Sequence, residues 1–406
     1  MPLDRPDAPP AGIHALLKDL SPTSIGNAVA GFAFAASGPV AIILAVSTKG
    51  GLTEAEIASW LFGAFCLNGL VSIAFSLIYR QPLVFFWTIP GTVLVGPALA
   101  HLSFAEVIGA FIVCGALMLL LGLTGLVRRS IAAVPMPIVM GMVAGVFLQF
   151  GLDWVRAFEL GFWIAAPMTL AFMALTVAQR GGLAVPPLIG ALAVGIVLSA
   201  FGGSSGAAVT MGSIVAVPQI ILPQFSLQAM AELVVPLAIT VLVVQNGQGM
   251  AVLTAAGHKP PADAIATACG AASIVTAFFG AVSTCLTGPV SAIVSSSGAR
   301  ERQYTGAVIV GLLAVGFGLM SPLFTRLMLA APAAFIATLA GLAMLKVLQI
   351  AFASAFQGRF GLGALITFLV TVSGISVLNI GAPFWGLVFG YAASRLLEPD
   401  DFSKTP

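Results

Sequence analysis

The 406-residue chain is 59% hydrophobic and only 7% charged, with a mean hydropathy of +1.10 and a formal net charge of +2. A soluble domain is about one quarter charged, so this composition excludes a water-covered surface and identifies a polytopic membrane protein. The small net charge, with no basic stripe carrying interleaved aromatics, also excludes nucleic acid as a partner.

The first twenty residues are polar and proline-rich, so no cleavable apolar signal is read there. A crossing needs about 20 apolar residues, fewer where the chain is not helical throughout. In chain order, spans are expected near 24–47, 57–79, 83–100, 105–127, 131–150, 162–178 and 186–201, then 231–254, 262–281, 284–299, 304–321, 331–348, 361–378 and 383–397. The predicted fold is therefore all-α, with fourteen transmembrane segments. A tail (1–23) precedes a first seven-span repeat (24–201), an external linker (202–230), a second repeat (231–397) and a short tail (398–406).

The positive charges test that count. With the N-terminus inside, the inner segments carry Arg5, Lys18, Arg80, Arg128, Arg129, Arg180, Lys259, Arg300, Arg302, Lys346, Arg359, Arg395 and Lys404. The outer loops carry only Lys49, Arg156 and Arg326, so both termini are expected to be cytoplasmic.

Polar residues inside apolar spans mark the candidate site. Span one contains "FAFAASGPVAI", with Phe32, Phe34 and Ser37 ahead of Gly38-Pro39. Span three contains "FFWTIPGTVLVGPALAH", which holds Phe85, Phe86 and Trp87, then Thr88, Pro90, Gly91 and Thr92. Span eight contains "VVQNGQGMAV", with the amides Gln245, Asn246 and Gln248 at mid-membrane and Gly247 and Gly249 leaving room beside the backbone. Phe278 and Phe279 close span nine, and span ten contains "TCLTGPVSAIVSSSGA", with Thr287, Gly288, Pro289 and Ser291.

Spans three and ten both carry Thr-x-Pro, and their prolines lie 199 residues apart, about half the chain. "PMPIVMGMVAGVFL" and "APAAFIATLAGLAML" echo one another at nearly the same offset. Seven spans per half is an odd number, so the halves must be inverted relative to one another. Proline lacks an N–H and disfavours helix at the preceding residue. Thr88-Ile89 and Thr287-Gly288 should therefore be extended, with helix starting only at Pro90 and Pro289. Spans three and ten become half strand and half helix, and their helix N-termini face each other near the midplane. Such termini carry unpaired N–H groups and partial positive charge, an anion site that needs no lysine or arginine.

The order of spans and the stretches "FWTIPGTVLVGPAL", "PMPIVMGMVAGVFLQFG", "VVQNGQGMAVL" and "TCLTGPVSAIVSSSGA" resemble the benzoate/proton symporter (BenE) family, over essentially the whole chain. More distantly, the layout is similar to nucleobase/ascorbate and sulfate transporters with seven-plus-seven inverted repeats. The resemblance implies a core of spans one to four and eight to eleven, a gate of spans five to seven and twelve to fourteen, and a site between the broken spans. It also implies benzoate or a close aromatic carboxylate as substrate, protons as co-substrate, a bacterial-type inner membrane and a homodimer. The predicted substrate-binding set is Thr88, Pro90, Gly91, Thr92, Gln245, Asn246, Gln248, Thr287, Gly288, Pro289 and Ser291, with Phe32, Ser37, Phe86 and Phe279 around the ring.

Nucleobase relatives carry acidic residues in spans eight and ten, and the matching stretches here hold none. The nearest titratable groups for a proton are Glu232 and His101, with Glu106 and Asp153 further candidates. No nucleophile, base or metal constellation lies at depth, and Cys66, Cys114, Cys269 and Cys285 show no ligand spacing. An enzyme is therefore not expected, nor a cofactor or metal. The remaining alternatives are a nucleobase or inorganic-anion carrier of similar fold, and an anion channel.

Overall fold

The computed structural model describes all residues except 1–3, 7, 128–134, 181–185, 202–212, 297, 376, 378–379 and 404–406. The start of the expected fifth span, the first third of the linker, and Arg128, Arg129 and Lys404 of the charge count lie outside the described residues. The rest is mostly helical. Among the described residues, seven helices are long and apolar enough to cross a membrane: Pro22–Lys49, Glu54–Tyr79, Phe104–Thr124, Met136–Gln179, Leu227–Ala255, Arg300–Leu319 and Ala333–Phe356. Shorter apolar helices include Ile89–Ala98, Pro187–Ser199, Ala262–Ala277 and Gly361–Ser373. Lipid offers no hydrogen-bond partner to a backbone, so an open chain survives there only by bonding to itself.

The helix ends follow from local chemistry. Phe104–Thr124 starts at a capping box in which Ser103 and Glu106 satisfy each other's backbone N–H, and stops at Gly125, whose φ of 69° needs no Cβ. Thr53 and Glu56 start the Glu54 helix in the same way. The first span is broken at Ser37 (φ −96°, ψ −99°), because Pro39 supplies no N–H to continue the ladder.

Span eight departs from a regular helix. It has wide π turns over Met230–Val234 and Thr240–Gln245 on either side of Val235–Ile239. Pro236 lies between them and again removes a backbone donor.

Two loops of the sequence reading are corrected. The segment 151–161, expected as an outer loop between spans five and six, is helical, and the only non-helical residue within Met136–Arg180 is Gly161 (φ −173°, ψ 76°). The Trp154 indole N–H donates to Thr169 Oγ1 at 3.1 Å, although the two residues are 15 apart in sequence. In a straight helix they would be separated by roughly 22 Å. The chain therefore doubles back at Gly161 into a tight hairpin. Asp153 and Arg156 suggested a loop by their charge, but they sit on the last turns of a helix where Asp153 bonds Lys49, Gln149 and Arg156. Likewise Ser321–Leu329, expected as loop after span eleven, forms a short helix.

The helices form two groups. In the core, Phe104–Thr124 crosses Ala262–Ala277, and a Cβ at Gly270 would stand 2.3 Å from the Leu119 backbone nitrogen. Asn68–Tyr79 meets Tyr304–Leu319 at Gly69 and Gly311, each facing the other's carbonyl. Such small-residue crossings let backbones approach where lipid supplies no hydrophobic drive. In the gate, Met136–Arg180 packs against Ala333–Phe356 and Gly361–Ser373, and the latter against Ala382–Leu397.

The two halves join through a two-stranded antiparallel sheet. Strand β1 (Phe85–Trp87) pairs with β2 (Thr284–Leu286) in the register Phe85 to Leu286, Phe86 to Cys285 and Trp87 to Thr284. The pairing extends outward through Thr88 N–H to Ser283 O and Thr287 N–H to Val84 O. Side chains close the outer edges of this ribbon. Ser72 Oγ bonds both the N–H and the carbonyl of Phe85, Ser273 Oγ accepts from Thr284 N–H, and Asn246 Oδ1 accepts from Leu286 N–H at 2.8 Å.

Candidate functional site

Each strand runs directly into a half-helix, Ile89–Ala98 after β1 and Gly288–Val294 after β2. Thr88 (φ −75°, ψ 115°) and Thr287 (φ −81°, ψ 122°) are extended as expected. Ile89 and Gly288, also expected to be extended, are instead already the first helical residues, so each proline takes the second helical position, where the helix needs no backbone N–H. The two N-termini are not equivalent. Thr88 Oγ1 accepts from Gly91 N–H at 3.1 Å and Thr92 Oγ1 donates to Thr88 O, so the first terminus is capped internally. Thr287 makes no such bond, and the first N–H groups of Gly288–Val294 are left without a side-chain cap. Ser291, one turn in, is fully buried and its hydroxyl has no partner among the described residues.

The amides of span eight divide in the same way. Asn246 is turned to β2, holding Leu286 N–H and lying within 3.6 Å of Cys269 Sγ. Gln245 and Gln248 instead line a cavity of about 330 Å³, together with Ile89, Pro90 and Pro289 at the two half-helix starts. Gln248 lies over Gly288, where a Cβ would come within 2.9 Å of its Oε1. The opposite wall is apolar and belongs to the gate: Met136, Met140, Val143, Phe147 and Ile350. That volume falls in the range of small-molecule sites, which are typically apolar with a few convergent polar groups.

The structure thus brings together Pro90, Gln245, Gln248, Gly288 and Pro289, with Thr287 beside them. Gly91 packs on Thr88 and Leu237, and Thr92 is bonded back to Thr88. It does not bring the predicted aromatics to the cavity. Phe32 packs edge-on to Phe65 and Phe317, Phe86 against Phe65 and Trp87, and Phe279 against Phe62. Ser37 donates to Phe34 O at the break of span one. The apolar wall was missed, although its signal was present. Met136, Met140, Val143 and Phe147 recur every three or four residues and lie on one face of a helix.

A second, larger cavity of about 560 Å³ opens on the same seam toward the end that carries Lys49. Val93, Gly96 and Pro97 of the first half-helix line one side, and Gly145, Gln149 and Asp153 line the other. Lys49 Nζ bonds Asp153 Oδ2 at 2.7 Å across this seam. His101 also lines the cavity, and its Nε2 lies 2.9 Å from Oε2 of Glu232, which is only 5% exposed. The two titratable groups singled out from the sequence are therefore neighbours. Among the described residues, no group of three or more His, Cys, Asp or Glu could hold a metal ion.

The chain is 31% identical over 357 residues to the inner membrane protein YdcO of Escherichia coli (strain K12), covering 86% of this chain and 89% of that protein. It is 29% identical over 393 residues to the benzoate membrane transport protein of Acinetobacter baylyi, covering 94% and 98%. Among solved structures, the transmembrane domain of the cyanobacterial bicarbonate transporter BicA superposes with a TM-score of 0.63 at 17% identity, over 91% of this chain and 97% of that one. The murine Solute Carrier 26 family member A9 anion transporter superposes with a TM-score of 0.68 at 12% identity, over 94% and 69%. These two likenesses establish the fold, an inverted-repeat membrane-transporter architecture. The model of the benzoate membrane transport protein family matches residues 18–396, so the chain belongs to that family, whose members are membrane transporters and not a class of enzyme.

Proposed function

We propose that this protein is a secondary active transporter that imports benzoate or a closely related aromatic carboxylate together with protons. Transport proceeds by alternating access around the site between the two half-helices. The observation that carries the reading is the cavity wall on which two amides without partners among the described residues, Gln245 and Gln248, meet the uncapped start of Gly288–Val294, facing an apolar surface of Met140, Val143 and Phe147. A carboxylate is ionised at neutral pH, because its pKa is about 4. Its charge fits the uncapped N–H groups and the amides, and its ring fits the apolar wall. A small inorganic anion would have no use for that wall.

In this reading the charge bias places the chain termini in the cytoplasm, so the Lys49 cavity faces outward and the Gln248 cavity inward. The relative named as an inner membrane protein supports an inner-membrane location. A homodimer completes the proposed assembly.

The test is uptake of radiolabelled benzoate into proteoliposomes, with and without an inward-acid gradient, competed by hydroxybenzoates, uracil and bicarbonate. Gradient-driven accumulation blocked only by aromatic acids is expected. Saturable uptake indifferent to the gradient would remove the proton from the reading, and absence of benzoate uptake would remove the substrate. Unitary currents would replace the carrier with a channel.

A further inference from the structure

We propose that His101 and Glu232 form the proton-binding site of the transport cycle, and that the pair latches the core to the gate at the Lys49 end until a proton releases it. The proposal deepens the proton-coupled reading above and rests on it.

Glu232 sits on the first π turn of span eight, among elements that offer its charge almost nothing but His101. The half-helix Ile89–Ala98 has no ionisable residue, and the one charged residue of Phe104–Thr124 is Glu106, which is occupied by the N–H and hydroxyl of Ser103. On Ala382–Leu397 the one charged residue is Arg395, more than three turns from the start. Across the cavity, Lys49, Asp153 and Arg156 are paired with one another. Among the described residues, His101 is the one hydrogen-bonded neighbour of this buried carboxylate.

The other carboxylate oxygen faces the gate. A Cβ at Gly381 would stand 2.5 Å from Glu232 Oε1, so the gate backbone comes closest to the carboxylate where no side chain intervenes. Gly381 has φ −69° and ψ 157°, a conformation open to any residue, so close approach alone accounts for a glycine there. Gly381 is also the N-cap residue of Ala382–Leu397 and receives no side-chain cap. The core thus presents a carboxylate to the positive end of a gate helix, an attraction that lasts only while the pair carries net negative charge.

His101 is one third exposed to the cavity and is the member that water reaches. Imidazole is the side chain that changes charge between about pH 5 and 8. One proton taken from cavity water brings the pair from a net charge of −1 to 0, whichever atom holds it. The attraction to the gate helix is then lost and the seam is free to open on the side from which the aromatic acid enters. Release of the proton restores the latch.

Two measurements test this. The first compares exchange of radiolabelled benzoate at equal pH with accumulation driven by an inward-acid gradient. Glu232→Gln and His101→Gln are each expected to lower the ratio of accumulation to exchange at least tenfold; an unchanged ratio in both overturns the proposal. The second needs no substrate. Val146→Cys, on the wall of the Lys49 cavity, is labelled with a membrane-impermeant methanethiosulfonate, and its rate is normalised to that of Leu222→Cys, exposed at the same end. The normalised rate should rise at least threefold from pH 8 to pH 6 with Glu232 present and stay flat with Glu232→Gln. A flat profile with Glu232 present overturns the latch even if the transported molecule proves not to be benzoate. Where Glu232→Gln does not reconstitute, Gly381→Ala, which crowds Oε1, should bring the rate at pH 8 up to the pH 6 value. An unchanged rate there would also count against the latch.

Discussion

At the scale of single residues, neighbours in one short motif have opposite duties. Gln245 and Gln248 face the cavity without partners among the described residues, while Asn246 between them secures β2. Replacing Gln248 with Ala should raise the KM for benzoate about tenfold, the ~1.5 kcal/mol of one hydrogen bond to a charged group, and leave the melting temperature in detergent nearly unchanged. Asn246→Ala should do the reverse in stability. It orphans the Leu286 N–H inside the sheet at a cost of about 1–3 kcal/mol, which differential scanning fluorimetry would register as a clear loss. Ser291→Ala should reduce initial uptake severalfold, because its buried hydroxyl is free at the half-helix start. Ser296→Ala should not, since Ser296 is exposed and bonded to Ile293 O. Equal effects of the two serine changes in one uptake assay would remove Ser291 from the site. Residue identity alone marked all three amides as polar groups at depth, but their division depended on which side of a π-distorted helix each one faces. That orientation is set by where the turn widens, and no residue type announces it.

At the scale of elements, the proline breaks were the most legible feature. Thr88-Ile89-Pro90 and Thr287-Gly288-Pro289 announce a break followed by helix, and both threonines are extended, but the half-helices begin at Ile89 and Gly288, one residue before the prolines at which the rule placed their starts. That the two extended pieces pair with each other could not be read, because the partners are distant in sequence and each strand is only three residues long. The hairpin at Gly161 was illegible for another reason: charged residues near a membrane surface suit a loop and a helix end equally well. Glycines at helix crossings give this scale its own test. Gly270→Leu would place a side chain where even a Cβ meets the Leu119 backbone at 2.3 Å, so the crossing of Phe104–Thr124 and Ala262–Ala277 must spread. A loss of roughly 1–3 kcal/mol or more is expected, read as a lower melting temperature and reduced yield of folded protein. Gly316→Leu, where a Cβ would meet nothing within 4 Å, should be tolerated in the same assay.

At the scale of the whole molecule, two cavities share one seam between core and gate, on opposite sides of the half-helices. The Lys49 to Asp153 bond ties the two groups at one end. A bismaleimide bridging Lys49→Cys and Asp153→Cys should therefore arrest benzoate uptake, whereas either single cysteine treated alike should not. Continued uptake by the bridged protein would show that the seam need not open there. The inverted repeat was legible from the proline spacing and the fold from the order of spans. The composition of the site was only half legible. The core contributes it through recognisable polar residues, whereas the gate contributes it through ordinary Met, Val and Phe that differ from lipid-facing residues only by where their helix is docked.

The sheet that joins the halves also dictates an order of events during synthesis. Phe85 pairs with Leu286, so β1 must wait for roughly 200 further residues before its partner exists. At about 5–20 residues per second this interval is on the order of 10 to 40 seconds. During that time a strand with open backbone groups stands at the level of the bilayer, where such groups are costly. Ser72 already bonds both backbone groups of Phe85 from within the first half, so part of the strand is sheltered before β2 arrives. A ribosome stalled after the seventh span should leave a half-protein that is inserted yet unfinished, sensitive to protease at β1 and retained by the insertion machinery until the second half is supplied.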